Sequence, residues 1–202
     1  LQALSILAGR NFGDNDGGTL LEKLQLQPLA QNVWQRLQQD GEQMVTHLGP
    51  RRLVECLRAA STLRLRREEM RDSDSGASFY HLSCERLTKG DALSKLTAAD
   101  LASVLWCLAS PSPTTGPTTT PTSLLPYEQN LVKAAVRRFR KKGVRDSASR
   151  KDLARALEAA SRHMVALNDH DRESDLYQDI RVMAYTLCRE TIKKMSDSDA
   201  DG

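Results

Sequence analysis

The sequence contains few aromatic residues and no long apolar run. Of its 202 residues, 4% are Phe, Trp or Tyr, whereas Ala, Leu and Arg are among the commonest. Helices favour residues of this second kind, while strands favour β-branched and aromatic side chains. We therefore predict an all-α fold. The longest apolar runs, such as Val104 to Ala109, have about six residues, whereas a membrane-spanning helix needs roughly 20. We accordingly expect no transmembrane segment.

Cysteines and catalytic motifs are also scarce. The four cysteines, Cys56, Cys84, Cys107 and Cys188, form no CxxC pair, so neither a zinc site nor a dense disulfide scaffold is indicated. Three of them lie in predicted helices, where we expect buried thiols. There is no phosphate-binding glycine loop, HExxH or GxSxG motif. We expect no catalytic residues, no metal site, no cofactor and no enzymatic activity.

What the sequence does contain is an internal repeat. Four segments begin with Leu and continue with small or apolar residues: LQALSILA from Leu1, LRAASTLR from Leu57, LWCLASPS from Leu105 and LEAASRHM from Leu157. Aligning the last three also matches Leu53 with Leu101 and Leu153. Because the helix of Leu101, Leu105 and Leu108 is apolar on nearly every side, we expect it to have neighbours on two or three sides.

Each repeated segment is followed by a polar loop and then by a second helical pattern. These second patterns cover 29–45, 77–93, 127–143 and 174–195, and the loops cover 9–19, 71–78, 110–123 and 168–174. We predict units of a helix, a short turn, the Leu-rich helix and a variable loop. Stacked, they form an α-solenoid of helical hairpins with long inter-repeat loops. The predicted array covers 1–195, with a mobile Pro/Thr loop at 110–126 and an acidic Ser/Asp tail at 196–202. That loop also has the composition of an interdomain linker, but the repeat occurs on both sides of it.

The segment LTAADLASVLWCLA, Leu96 to Ala109, follows the pattern L-[ST]-x-x-[DE]-L-[AS]-x-[LV]-L-W-[AC]-L-A. In this it resembles the octotricopeptide and heptatricopeptide repeats of FAST-kinase-domain-like and RAP-domain organellar proteins. A later segment keeps the frame through Ser149, Asp152 and Leu153, with Glu158 in place of the Trp. The resemblance implies an α-solenoid that binds single-stranded RNA in mitochondria or plastids, where it acts in transcript stability, processing, translation or ribosome assembly. It also implies other proteins of such assemblies as partners.

A basic segment supplies the candidate RNA-binding residues. The predicted phosphate contacts are Arg137, Arg138, Arg140, Lys141, Lys142 and Arg145. Arg137, Lys141 and Arg145 are spaced i, i+4, i+8 and share one side if the helix persists. A solvated helix face, with cations near a helix C-terminus, explains the same pattern. A secondary basic patch is predicted at Arg64, Arg66 and Arg67. Trp106 is expected either to pack in the core or to stack on a base.

Two further functions remain open from the sequence. The modest net charge of +3 favours a protein-interaction scaffold built of helical repeats. The end of the chain, DSDADG from Asp197, matches the start of an EF-hand calcium loop, but we favour a solvated Ser/Asp tail and keep the calcium site only as a remote alternative. Because the chain begins at Leu1 within a helical pattern, we expect it to be a segment of a longer protein. No Asn-x-Ser/Thr sequon occurs, which favours an intracellular compartment.

Overall fold

The computed structural model describes residues 26–62, 78–109, 124–167 and 174–199. All regular elements within these ranges are helices, which confirms the all-α prediction. They are α1 (Leu26–Gln39), α2 (Gly41–His47), α3 (Pro50–Thr62), α4 (Phe79–Thr88), a 3₁₀ helix (Ala92–Lys95), α5 (Ala98–Ala109), α6 (Pro126–Phe139), α7 (Lys142–Ser147), α8 (Arg150–Ala166) and α9 (Asp175–Asp199).

The helices follow a recurring order along the chain. A longer helix, a short helix and a Leu-rich helix succeed one another as α1, α2 and α3, then as α4, the 3₁₀ helix and α5, and again as α6, α7 and α8. The sequence predicted a short turn between the two long helices. In each case the structure has a short helix in that place, so the connection satisfies part of its own backbone hydrogen bonding.

The start of the Leu-rich helix explains why Ser or Thr precedes an acid by three residues. At α5 the Asp100 carboxylate accepts hydrogen bonds from the backbone N–H and the hydroxyl of Thr97, at 3.0 and 2.8 Å. At α8 the Asp152 carboxylate accepts the same two bonds from Ser149, at 3.0 and 2.7 Å. Each hydroxyl in turn accepts from the backbone N–H of its acid. These are capping boxes, which satisfy N–H groups left unpaired at the helix start.

The aligned leucines occupy equivalent places in the core. Leu53, Leu101 and Leu153 are fully buried, as are Leu105 and Leu108, so these predicted core positions are confirmed. The prediction for Leu157 is wrong, because this residue is only half-buried. The positions one turn before and after it, Ala154 and Ser161, are exposed, so Leu157 lies at the margin of the buried side of α8.

The described residues form two compact units. In the first, which contains α1 to α4, the rings of Trp34 and Phe79 meet edge to face with centroids 5.6 Å apart. Gly41 of α2 approaches the backbone of α4 closely, since a Cβ there would lie 3.2 Å from the Phe79 nitrogen. The second unit contains the 3₁₀ helix and α5 to α9. That the helical repeats form one array over 1–195 stays a prediction.

In the second unit, equivalent helices of successive repeats lie side by side. α5 packs on α6 and α8, and α9 packs on the same two helices, so α5 has the expected neighbours on two sides. Contacts between α6 and α9 advance along both helices, from Lys133 with Asp175 to Arg137 with Asp179. The two helices therefore run in the same direction.

Several predictions concern residues that lie outside, or at the edge of, the described ranges. The repeat from Leu1, the Pro/Thr segment 110–123 and the secondary patch of Arg64, Arg66 and Arg67 lie outside them. α9 continues through Asp199, beyond the predicted start of the tail at 196, so the backbone is helical where the calcium-type motif begins. Among the described helices, none combines the length and apolarity needed to cross a bilayer.

Candidate nucleic-acid interface around the basic segment

The basic segment does not form one continuous helix. α6 ends at Phe139, and α7 begins at Lys142 after Lys141 adopts an extended backbone with φ −66° and ψ 131°. Arg137, Lys141 and Arg145 consequently do not align at i, i+4, i+8 on one helix face. The condition for that predicted alignment was a persistent helix, and the chain turns at Arg140 and Lys141 instead.

Two of the predicted phosphate contacts are paired with one carboxylate of α9. The Arg140 Nη1 lies 2.9 Å from Asp179 Oδ1, and the Arg137 Nε lies 3.3 Å from Asp179 Oδ2. The Asp179 side chain is only 19% exposed, whereas that of Arg137 is 61% exposed. Asp179 thus pairs with two guanidinium groups. These ion pairs join the C-terminal end of α6 to α9, and the one carboxylate offsets part of the positive charge of the two arginines.

Two further arginines also have partners within the protein. The Arg145 Nε lies 3.7 Å from Glu190 Oε1, and its Nη1 donates to the Arg140 carbonyl oxygen. The Arg138 Nη2 donates to the Ser94 carbonyl oxygen at 3.2 Å. Four of the six predicted contacts therefore hold α6 and α7 against neighbouring elements. An RNA phosphate would have to compete with those partners.

The two lysines differ from the arginines. Lys141 and Lys142 are exposed, and neither forms an ion pair with the described residues. They lie at the start of α7, a helix about 9 Å long. At the other end of α7, the Lys194 ammonium of α9 donates to the carbonyl oxygens of Arg145, Asp146 and Ala148.

Further cations, which were not among the predicted phosphate contacts, lie near this contact between Lys194 and α7. The Arg150 Nη2 donates to the Lys194 carbonyl oxygen at 2.8 Å, so the start of α8 lies against α9 beside α7. The adjacent Lys151 and Lys193 are exposed and form no ion pair with the part of the chain that the structure describes. We name the group of Lys141, Lys142, Lys151 and Lys193, which lie around the two ends of α7, the basic corner. Lys193 and Lys194 adjoin in sequence, but only tertiary packing places them near α7.

Trp106 is half-buried in the structure, so it lies at the margin of the core, and the Arg162 guanidinium carbon lies 5.9 Å from the centroid of its ring. This distance suits a cation–π contact. Arg162 also pairs with Glu158 at 2.5 Å, which sits where the repeat pattern has Trp, so α8 contributes charged groups beside the Trp106 ring.

The histidine and thiol side chains have structural environments. His163 is buried, with its Nε2 3.0 Å from the Leu105 carbonyl oxygen. Burial raises the pKa of Cys56 from 9.0 to about 12, as expected for an unreactive core thiol. Cys188 is exposed on α9 and Cys107 is half-buried, so the expectation of buried thiols is wrong for Cys188. Within the described ranges, no three His, Cys, Asp or Glu side chains are grouped as metal ligands.

Comparisons with known proteins do not identify the chain. No model of a protein family matches it, and neither a curated protein nor a solved structure does so.

Proposed function

We propose that this chain belongs to a helical-repeat protein that binds single-stranded RNA through phosphate contacts. The observation that supports the proposal is the surplus of exposed positive charge left after internal ion pairing. Asp179 and Glu190 are engaged by arginines, and Asp152 caps its own helix. The four lysines of the basic corner have no such partner among the described residues. Exposed cations without an internal partner attract polyanions.

The resemblance of the repeat gives the proposal its biological setting. A stack of helical hairpins extends a surface along which a single strand can lie, and the parallel packing of α6 with α9 is consistent with such a stack. We propose that the protein acts in organellar transcript stability, processing, translation or ribosome assembly, in a mitochondrion or plastid. The phosphate contacts come first from Lys141 and Lys142. Arg137 is next, because it is exposed although paired.

Salt-dependent RNA titration tests this proposal. A fluorescently labelled single-stranded RNA of mixed sequence is titrated with the full chain at several salt concentrations, and binding is followed by anisotropy. Each phosphate contact contributes about −0.7 to the slope of log affinity against log salt for single strands. We expect Lys141→Gln/Lys142→Gln to reduce the steepness of that slope by about 1.4.

The matched control is Lys95→Gln, which removes an exposed lysine outside the basic corner that pairs with Asp91 at 3.2 Å. We expect its slope to equal that of the unmodified chain. RNA binding with the same slope in the double variant would show that the basic corner is not the contact surface. Absence of RNA binding at low salt would refute the function itself.

A protein-interaction scaffold is the second candidate. It is favoured by exposed apolar side chains on α9, since Tyr185 is 67% and Ile192 is 64% exposed. Exposed apolar surface of this kind often marks a contact with another macromolecule.

A further inference from the structure

The short helix α7 has little apolar contact to hold it in place. Of its six residues, Val144 alone is buried, and a helix this short is not stable by itself. The carbonyls at its C-terminal end also lack intrahelical partners, as at any helix end. The orientation of α7, and of Lys141 and Lys142 at its start, must therefore be fixed by polar contacts with other elements.

Lys194 of α9 caps the C-terminal end of α7. Its ammonium donates to the carbonyl oxygens of Arg145 and Asp146, each at 3.4 Å, and to that of Ala148. An ammonium has three N–H donors, which equals the number of these carbonyls. The partial negative charge at a helix C-terminus also attracts a cation. Lys194 thus makes a capping interaction from a helix distant in sequence.

The surroundings of Lys194 hold it between α7 and α8. Arg150 at the start of α8 donates to the Lys194 carbonyl oxygen at 2.8 Å. One turn earlier on α9, Glu190 pairs with Arg145 of α7 at 3.7 Å. Lys194 is half-buried, whereas the adjacent Lys193 is exposed. The two lysines therefore have different environments, and Lys194 is directed to the backbone of α7.

We propose that Lys194 is a positioning residue of the basic corner: its ammonium fixes the orientation of α7, and so of Lys141 and Lys142, without binding phosphate itself. This inference rests on the proposed RNA binding. The Lys194 ammonium has carbonyl partners, whereas Lys141 and Lys142 are exposed. Without the cap, RNA binding has to order α7 at the same time, which lowers the affinity.

Hydrogen exchange tests the cap in the absence of RNA. In the full chain, Lys194→Met removes the N–H donors and keeps an unbranched side chain. The amides of Val144, Arg145 and Ala148 donate to carbonyls of the same segment. We expect them to exchange at least about fivefold faster in this variant, because loss of the cap favours local opening of α7. Lys194→Arg retains charge and donors and should restore most of the protection.

Arg189→Met is the matched control for Lys194→Met. Arg189 is exposed on α9, and its replacement removes one positive charge from the same helix. Because it precedes Lys194 by five positions, it lies on a different side of the helix. Exchange within α7 should equal that of the unmodified chain. Circular dichroism verifies the helix content of each variant.

A double-mutant cycle then connects the cap with RNA binding. Lys194→Met should lower RNA affinity at low salt at least about threefold more than Arg189→Met does, with an equal salt slope in the two variants. In the Lys141→Gln/Lys142→Gln background, we expect Lys194→Met to weaken binding no more than Arg189→Met, because the lysines on which the cap acts are absent.

Unchanged exchange in Lys194→Met would overturn the proposal and leave RNA binding in place. A salt slope less steep by about 0.7 than that of Arg189→Met, or an equal loss of affinity in both backgrounds, would show instead that Lys194 contacts a phosphate directly. Absence of RNA binding by the unmodified chain at low salt would remove the proposed function and this role with it. Faster exchange in Lys194→Met would then show that the failure lies in the function and not in the cap.

Discussion

The second unit contains two pairs of parallel neighbours that are joined by different chemistry. Between α5 and α8, the contact includes fully buried Leu105 and the buried His163, whose ring meets the Leu105 carbonyl oxygen. Between α6 and α9, apolar packing is bordered by a row of ion pairs that includes Arg137 and Arg140 with Asp179. We name these the apolar pair and the charged pair.

The comparison separates what stabilises the stack from what aligns it. Removing apolar surface from water provides most of the free energy of folding, whereas ion pairs near the surface contribute about 0–1 kcal/mol each. The row of charges in the charged pair nevertheless disfavours a shifted register, since a slip would set arginines against apolar neighbours and leave Asp179 without a partner. We infer that the apolar pair dominates stability and the charged pair fixes alignment.

The largest effect is expected from a truncation within the apolar pair. Leu105→Ala should lower the free energy of unfolding by about 2–5 kcal/mol, because it removes buried methyl groups and leaves a cavity. The carbonyl that meets His163 is retained in this variant. The midpoint and slope of urea denaturation, followed by circular dichroism, measure the loss.

Leu157→Ala provides the matched control for that truncation. Leu157 aligns with Leu105 in the repeat but is only half-buried, so its truncation should cost clearly less. Equal losses in the two variants would contradict the placement of Leu105 at the centre of the apolar pair.

The second largest effect on stability is expected from the ionisation of Cys56, which lies in the first unit. Cys56 in α3 aligns with Val104 in α5, and both are buried. Burial raises the pKa of Cys56 from 9.0 to about 12, so the folded chain favours the protonated thiol. The free energy of unfolding that depends on this protonated thiol is fully present below pH 9 and is lost as the pH rises toward 12. We expect a loss of about 1 kcal/mol per pH unit over this range.

Denaturation curves of the unmodified chain and of Cys56→Ala, each recorded from pH 8 upward, isolate this contribution. Alanine is the residue that α8 has at the aligned position, Ala156, which is also buried. The variant should lose less stability than the unmodified chain between pH 9 and 11. Parallel pH profiles would show that the interior around α3 is hydrated.

The sequence was sufficient to predict the long helices and much of the core, but not the short helices between them. Helical periodicity identified α5 and α8, and the spacing of Thr97 to Asp100 and of Ser149 to Asp152 marks their starts through capping, which is a local interaction. The burial of Leu101 and Leu153 followed from their places in the repeat. Such features depend on neighbours within one helical turn, so a single sequence contains them.

The candidate site was predicted less well, because its properties depend on residues distant in sequence. The sequence shows the basic segment as a row of cations without nearby acids other than Asp146, but Asp179 and Glu190 lie in another helix and engage three of its arginines. The helix break at Lys141 also went unpredicted, since the nearest Gly or Pro, Gly143, lies two residues further along the chain. Similarly, nothing local in the sequence indicates that Lys193 lies near α7.

The smallest effect on stability is expected within the charged pair, where Asp179→Asn removes the carboxylate shared by Arg137 and Arg140. Because Arg137 is 61% exposed, the loss should stay below about 1 kcal/mol and should shrink as salt is added.

The same change frees two guanidinium groups. If RNA phosphates reach this surface, affinity at low salt should rise, and the salt slope should steepen by up to about 0.7 for each arginine that gains a phosphate contact.

Asp91→Asn changes the net charge equally but frees Lys95 in the 3₁₀ helix, so it serves as the control for general electrostatic attraction. Urea denaturation and RNA anisotropy on the same two variants give both readouts. A loss of stability as large as that of Leu105→Ala would reverse the ranking of the two pairs, because the charged pair would then be the main source of stability as well as of register.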